Sequence, residues 1–441
     1  MMLRLIQSVV LAAALAVGFA STAGAQDAPK KQRKATGTLS EGTYRQLERV
    51  QELIAKNKNS EALEKAGALL ERAGNDYEKA IVHQTMAFIY VQQNNFKAAL
   101  KAFETAVNLD ALPQQPYEQM LFNLAQLYFQ DNQSEKAAST LERYFAEATL
   151  PPPADAHILL ASVYSDRKRF KDALAQVDLA LSKVKEPKES WLQLKLALHY
   201  ELKQFSQCAE VLVRLVGLAP NKEDYWKQLS SVLFEIKNDK DSLAVLALAD
   251  RQGFLDQENE VRNLANIYFL LDIPAKAAAT LQTGLDKKVL KPDEKTLTML
   301  GDGWTMAREY DKAEAAFKQA AQYSDKGEIY FRLGQIYIED ERWKAAVEAL
   351  EKAINKGGLK KTGDAWFLAG VAAFNAKDRA RAEAAFSKAM NYEESRNNAT
   401  QWLSHVRDLA AQEAQAAETA KALAEAKAAA AAEAAKKAAK N

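Results

Sequence analysis

The sequence predicts an all-α solenoid built from stacked helix pairs. Three observations carry that expectation. Glycine and proline are scarce, at 17 and 10 of 441 residues. Few turns then need a positive φ, which favours helices over a β-sandwich. Apolar residues recur at helical spacing in two consecutive stripes. That two-stripe phrase is written about ten times.

One copy is GEIYFRLGQIYIEDERWKAAVEALEKAI, from Gly327 to Ile354. Leu333, Gly334 and Tyr337 lie at i, i+1 and i+4, on one stripe of a first helix. Ala346, Leu350 and Ala353 lie at i, i+4 and i+7, on one stripe of a second. A short polar turn, EDER, separates them. Small residues let the two backbones approach, and bulky ones fill the remaining space. No single pair buries both of its faces, so pairs must stack.

The same frame fits Gly301, Trp304, Ala313, Phe317 and Ala320. It also fits Ala125, Tyr128, Ala137, Leu141 and Tyr144, and Ala87, Tyr90, Ala99, Phe103 and Ala106. Ala161, Ala197, Ser230, Ala265 and Gly370 head further copies, and a degenerate first copy runs through Leu53 and Ala62. The second small residues fall at 62, 99, 137, 173, 209, 242, 277, 313, 346 and 382, so neighbours are 33 to 38 residues apart.

The pattern W-x2-L-G-x2-Y, then A-x3-F, then A, resembles the tetratricopeptide repeat, whose period is about 34 residues. Trp366, Gly370, Ala382, Phe386 and Ala389 match it, as do Leu300, Gly301, Ala313, Phe317 and Ala320. Ser230, Ser242, Gly284 and Ala373 depart from it. The resemblance covers about residues 44 to 392. It implies a right-handed α-solenoid of about ten helix-turn-helix repeats with a concave inner face. Pro151-Pro152-Pro153 marks a longer loop between two copies, and the register continues across it.

The net charge is +1 and 48% of residues are apolar. That excludes a highly charged disordered chain and gives no global signature of nucleic-acid binding. The first residues, MMLRLIQSVVLAAALAVGFASTAGAQ, read as a secretory signal peptide over residues 1–25. Arg4 opens it, Leu5 to Ala20 form the apolar run, and Ala23-Gly24-Ala25 is a small-x-small cleavage site. A retained membrane anchor is the competing reading, and the run is short for a helix that needs about 20 residues to span. Cleavage implies export to the periplasm with no stable membrane insertion. The single cysteine, Cys208, lies among apolar residues, so no internal disulfide forms.

Residues 26–40 read as a flexible basic leader, residues 41–392 as the repeat solenoid, and residues 393–408 as a capping helix carrying Trp402, Leu403 and Val406. Residues 409–441 form an Ala/Lys/Glu-rich tail of high helix propensity.

No enzyme chemistry is legible, and no cofactor or metal is expected. His83 and His157 stand where Trp366 stands in the tenth copy, a core position. No Cys/His pair has metal spacing, and no Gly-rich phosphate loop occurs. What remains is the concave face. In the family the first helices line it, at fixed places around the small residue. On this sequence those places include Phe88, Val91, Phe122, Phe129, Trp191, Leu194, Leu198, Phe234, Phe269, Phe331, Ile338, Phe367 and Phe374. An apolar lining suits a peptide or partner helix. The competing reading packs these side chains between neighbouring first helices. A carboxylate clamp of the kind some members carry is not expected. Arg262 and Asn266 match two of its places, but Met299 and Glu328 stand where it needs Asn and Lys.

Phrases such as NLDALPQQPYEQMLFNLAQLY, PKESWLQLKLALHYELK and EIYFRLGQIYIEDERW resemble the periplasmic tetratricopeptide proteins encoded beside TonB–ExbB–ExbD clusters. That resemblance implies an accessory of energised outer-membrane transport. Its partner would be a TonB-like protein or a TonB-dependent receptor. The alternative is a scaffold for envelope assembly, in polysaccharide export or outer-membrane biogenesis.

Overall fold

The computed structural model describes residues 33–34 and 37–438. The signal peptide expected over residues 1–25 lies outside the described residues, as does the leader up to residue 32. Among the described residues there are twenty-one helices and no strand. The chain is an all-α repeat solenoid. It divides into two compact units, one ending at Lys237 and the other starting at Asn238.

The first unit pairs α1 (Glu41–Ala55) with α2 (Asn59–Arg72) and α3 (Asp76–Gln92) with α4 (Phe96–Asn108). It then pairs α5 (Gln114–Gln130) with α6 (Ser134–Glu147) and α7 (Ala154–Asp166) with α8 (Phe170–Ser182). Next come α9 (Glu189–Glu201), α10 (Phe205–Leu218) and α11 (Glu223–Glu235). One continuous core takes in Phe103, Tyr117, Leu141, Leu160 and Leu198. It runs across Pro151-Pro152-Pro153, since Tyr144 before that loop and Ala156 after it share the core.

The second unit opens on α12 (Asp239–Arg251). It pairs α13 (Glu258–Leu270) with α14 (Pro274–Asp286) and α15 (Glu294–Met306) with α16 (Tyr310–Ala320). It then pairs α17 (Glu328–Glu339) with α18 (Trp343–Lys356) and α19 (Thr362–Asn375) with α20 (Arg379–Ala389), and ends on α21 (Arg396–Ala438). Its core gathers Phe317, Leu333, Ile336, Phe386 and Val406.

The small-against-bulky reading of the repeat has a direct geometric basis. A Cβ added at Gly334 would stand 2.5 Å from Leu350, and one at Gly301 or Gly370 would stand 2.6 Å from Phe317 or Phe386. The first and second helices of a pair therefore meet closer than an alanine allows in these copies. The polar turns share one conformation. Lys168, between α7 and α8, has φ 58°. The next amide, of Arg169, donates back to the Tyr164 carbonyl at 2.8 Å, and the Lys168 amide donates to that of Ser165 at 2.9 Å. This is the left-handed helix stop that satisfies the last free carbonyls. Asn132 (φ 59°), Glu341 (φ 55°) and Lys377 (φ 63°) take the same place in other pairs.

Both chain ends differ from the sequence reading. The leader was expected to be a free linker, yet its last residues are tied to the repeats. The Ser40 amide donates to Glu78 at 2.9 Å, and Asn75 donates to the Thr38 carbonyl at 3.2 Å. At the other end, the expected cap and tail form one unbroken helix, with no boundary at residue 408. Ala399, Leu403 and Val406 anchor its start in the core. Beyond them the described side chains from 411 onward are exposed. Alanine, glutamate and lysine sustain a helix without a packing partner, so nothing in the composition forces a stop. Its 43 residues span about 65 Å at a rise of ~1.5 Å each. No helix among the described residues is long and apolar enough to cross a membrane.

Candidate partner-binding face

The first helix of each pair carries the candidate residues, and burial sorts them. In the first unit Phe234, on α11, is 41% exposed. Phe88 on α3 and Phe122 and Phe129 on α5 are half-buried. Phe88 sets its edge against Phe103 at 5.4 Å, and Phe122 packs on Tyr144 at 5.8 Å. Val91, Trp191, Leu194 and Leu198 are buried. Their assignment to an open lining is therefore corrected. They fill the stack between helices, which was the competing reading. Register places a residue on the first-helix face but does not say whether a neighbouring helix covers it.

In the second unit Phe269, Phe331, Ile338, Phe367 and Phe374 are all half-buried. The last two meet the chain's own terminal helix. Trp402 of α21 stands edge-on to Phe374 at 5.6 Å and to Phe367 at 6.5 Å. His405 adds a contact to Phe374 at 5.9 Å. This end of the face is capped from within.

The uncapped part exposes further apolar side chains, with a charged pair on the same elements. Phe269 of α13 lies against α15, its ring 3.0 Å from where a Cβ on Gly303 would stand. Leu270 and Met306 are 58% and 54% exposed. Each stands five residues past the small residue of its copy, Ala265 and Gly301. Their shared register was the available signal. Next to Gly303, Asp302 accepts from Arg332 of α17. Burial holds the Asp302 carboxyl above its ordinary range, although Arg332 pulls the other way. The half-exposed Asp302–Arg332 pair stands one helical turn from exposed Met306, so apolar area and a polar group lie together on this face.

The other singled-out groups are structural. Arg262 is occupied by Glu258 at 2.8 Å, Thr296 at 2.5 Å and Asp293 at 3.6 Å. His157 is buried, bonded through Nδ1 to Gln176 at 2.7 Å, and burial holds its pKa down. His83 is half-buried and likewise lowered by burial. Burial pushes the Cys208 thiol up to about 11, which leaves it unreactive near neutrality. Among the described residues, no group of three or more His, Cys, Asp or Glu side chains is placed to hold a metal ion.

The model of the tetratricopeptide repeat matches residues 85–149, 122–186, 307–360 and 331–399. Residues 85–186 and 307–399 thus carry tetratricopeptide repeats. No curated protein matches the sequence. Among solved structures, a tetratricopeptide repeat protein from Parabacteroides merdae is 15% identical and covers 68% of this chain and 100% of its own, with a TM-score of 0.37. MamA from Desulfovibrio magneticus is 16% identical over 42% of this chain and 99% of its own, with a TM-score of 0.36. YrrB, a tetratricopeptide repeat protein with an unusual peptide-binding site, is 15% identical over 44% of this chain and 97% of its own, with a TM-score of 0.34. Tetratricopeptide proteins bind protein or peptide partners.

Proposed function

We propose that this protein is a non-enzymatic scaffold that binds a peptide or partner helix on its first-helix face. The observation that carries the reading is the exposure of Leu270 and Met306 at one register beside the Asp302–Arg332 pair. Two large apolar side chains left in water on adjacent repeats cost free energy unless a partner covers them.

The location proposed is the periplasm, supported by the charged, apolar and small-residue order of residues 1–25. The role proposed is accessory to TonB-dependent outer-membrane transport, supported by the sequence resemblance to the proteins encoded with that system. Affinity capture from periplasm tests it. Recovery of a TonB-like protein or a TonB-dependent receptor is the expected result. Recovery of polysaccharide-export or outer-membrane assembly components instead would turn the reading to envelope assembly.

A further inference from the structure

The N-terminal segment holds one residue that behaves as a bound ligand. Arg33 reaches the corner of the first unit where the α4–α5 and α6–α7 connections meet. Its guanidinium pairs with Asp110 and lies 3.8 Å from Glu147. The same group stacks on the Tyr117 ring, 3.9 Å from its centroid. Its backbone amide donates to Gln114 Oε1 at 3.1 Å. Four separate groups thus read one arginine, and the bond to its main chain fixes the register of the segment that carries it.

The corner is built in advance of that contact. Asp110 stands in the left-handed region at φ 50°, and the two residues after it, Ala111 and Leu112, are buried in the core. That pins the loop presenting the carboxylate. Gln114 is held from its other end, donating to the Glu147 carbonyl at 2.9 Å and to Glu118 at 2.8 Å. Glu118 in turn accepts from the Thr149 amide at 2.8 Å and the Thr149 hydroxyl at 3.0 Å. Arg143 pairs with Glu147 at 2.8 Å and approaches the Tyr117 ring at 5.3 Å. The Tyr117 hydroxyl is buried beside Arg143. With Arg33 lifted away, Asp110 loses its guanidinium, Glu147 keeps that of Arg143, and a face of the Tyr117 ring loses its cover. A planar cation that stacks and reaches two carboxylates suits this site; the point charge of a lysine does not.

We propose that this corner is an arginine-recognition site for an extended basic segment of a protein partner, and that Arg33 is its built-in competitor. The leader APKKQRKATGT, residues 28–38, has the chemistry of the partner it imitates. A tethered competitor acts at a high effective concentration, so the site stays closed to weak basic segments and opens only to one that outbids it. This site is separate from the first-helix face of the second unit and does not rest on the function proposed for that face.

The test uses the full-length chain, its R33A variant, and a fluorescent peptide of residues 28–38 read by anisotropy. The peptide is expected to bind R33A about tenfold or more tightly than it binds the wild type. A peptide with lysine in place of Arg33 is expected to lose most of that affinity. The same loss is expected when D110N and E147Q are added to R33A, and asparagine keeps the left-handed backbone at 110. Equal binding to wild type and R33A would overturn the proposal. So would equal binding of the lysine peptide, which would reduce the contact to screened charge attraction.

Discussion

Tyr337 of α17 donates its hydroxyl to Glu314 of α16 at 2.8 Å, joining one repeat to the repeat before it. Arg342 completes the link, bonding Glu314 at 2.6 Å and stacking on the Tyr337 ring at 4.5 Å. The device recurs in the first unit. Tyr164 donates to Glu142 at 2.9 Å, with Arg169 on its ring at 4.1 Å and on the carboxylate at 3.2 Å. The tyrosine of the repeat motif is thus more than a filler, since its polar end locks the stacking register.

The lock makes stability pH-dependent. Burial would raise the Glu314 pKa, but hydrogen bonds from Lys318, Tyr337 and Arg342 outweigh it and bring the value from 4.5 to about 2. A carboxylate lowered on folding stabilises the protein above its unfolded value and loses that contribution as pH falls through the folded one. Tyr337→Phe removes one donor. Its melting temperature should lie below wild type at pH 7, and the gap should narrow as pH drops from 4.5 toward about 2. A gap that stays constant in thermal melts would remove Glu314 from the explanation.

Glu78 is a second acid-sensitive point, at the first turn of α3. It is buried and accepts from the amides of Ser40 and Gly74 at 2.9 and 2.7 Å. Burial again opposes ionisation, and the bonds from Ser40, Gly74 and Thr43 win, to about 2. Glu78→Gln should cost about 1–3 kcal/mol in urea unfolding at pH 7, the penalty for weakening buried charged hydrogen bonds. It should also raise hydrogen exchange at α1, because Glu78 ties residues 40–43 to α3.

Gly334→Ala sets helix propensity against packing. Propensity alone gains up to about 1 kcal/mol. The new methyl would meet Leu350 at 2.5 Å, and Leu350 is fully buried. Overpacking costs about 1–3 kcal/mol, so the net change should be destabilising. A stabilised variant in denaturant titration would show that α17 and α18 separate more freely than their contact implies.

Lys168→Gly should do the opposite. A lysine held at φ 58° carries a steric cost of about 1–2 kcal/mol that glycine does not. Part of the gain returns as unfolded-state entropy, leaving a net stabilisation of about 0.5–1 kcal/mol by chemical denaturation.

The pairing, the small-against-bulky contacts and the stacking were legible because they are periodic, and periodicity survives in a single sequence. The left-handed turn residues were not, because Lys168, Glu341 and Lys377 stand where glycine or asparagine would announce the conformation. The cover over Trp191, Leu194 and Leu198 was hidden because burial depends on the neighbouring helix as much as on register. Phe374 was hidden in the same way by Trp402 of α21. Arg33 read as part of a solvated linker because its partners lie 77 to 114 positions away in sequence, at Asp110 and Glu147. Leu270 and Met306 carry a legible signal, since each stands five residues past the small residue of its copy.

The most direct test of the binding face is partner capture with Leu270→Ser and Met306→Ser combined, beside wild type. Both side chains are more than half exposed, so the helical spectrum and melting temperature should stay within a degree or two of wild type, as surface changes do. The protein recovered by the wild-type chain should be lost from the variant. Undiminished recovery by a folded variant would contradict the account and place the contact elsewhere on the chain.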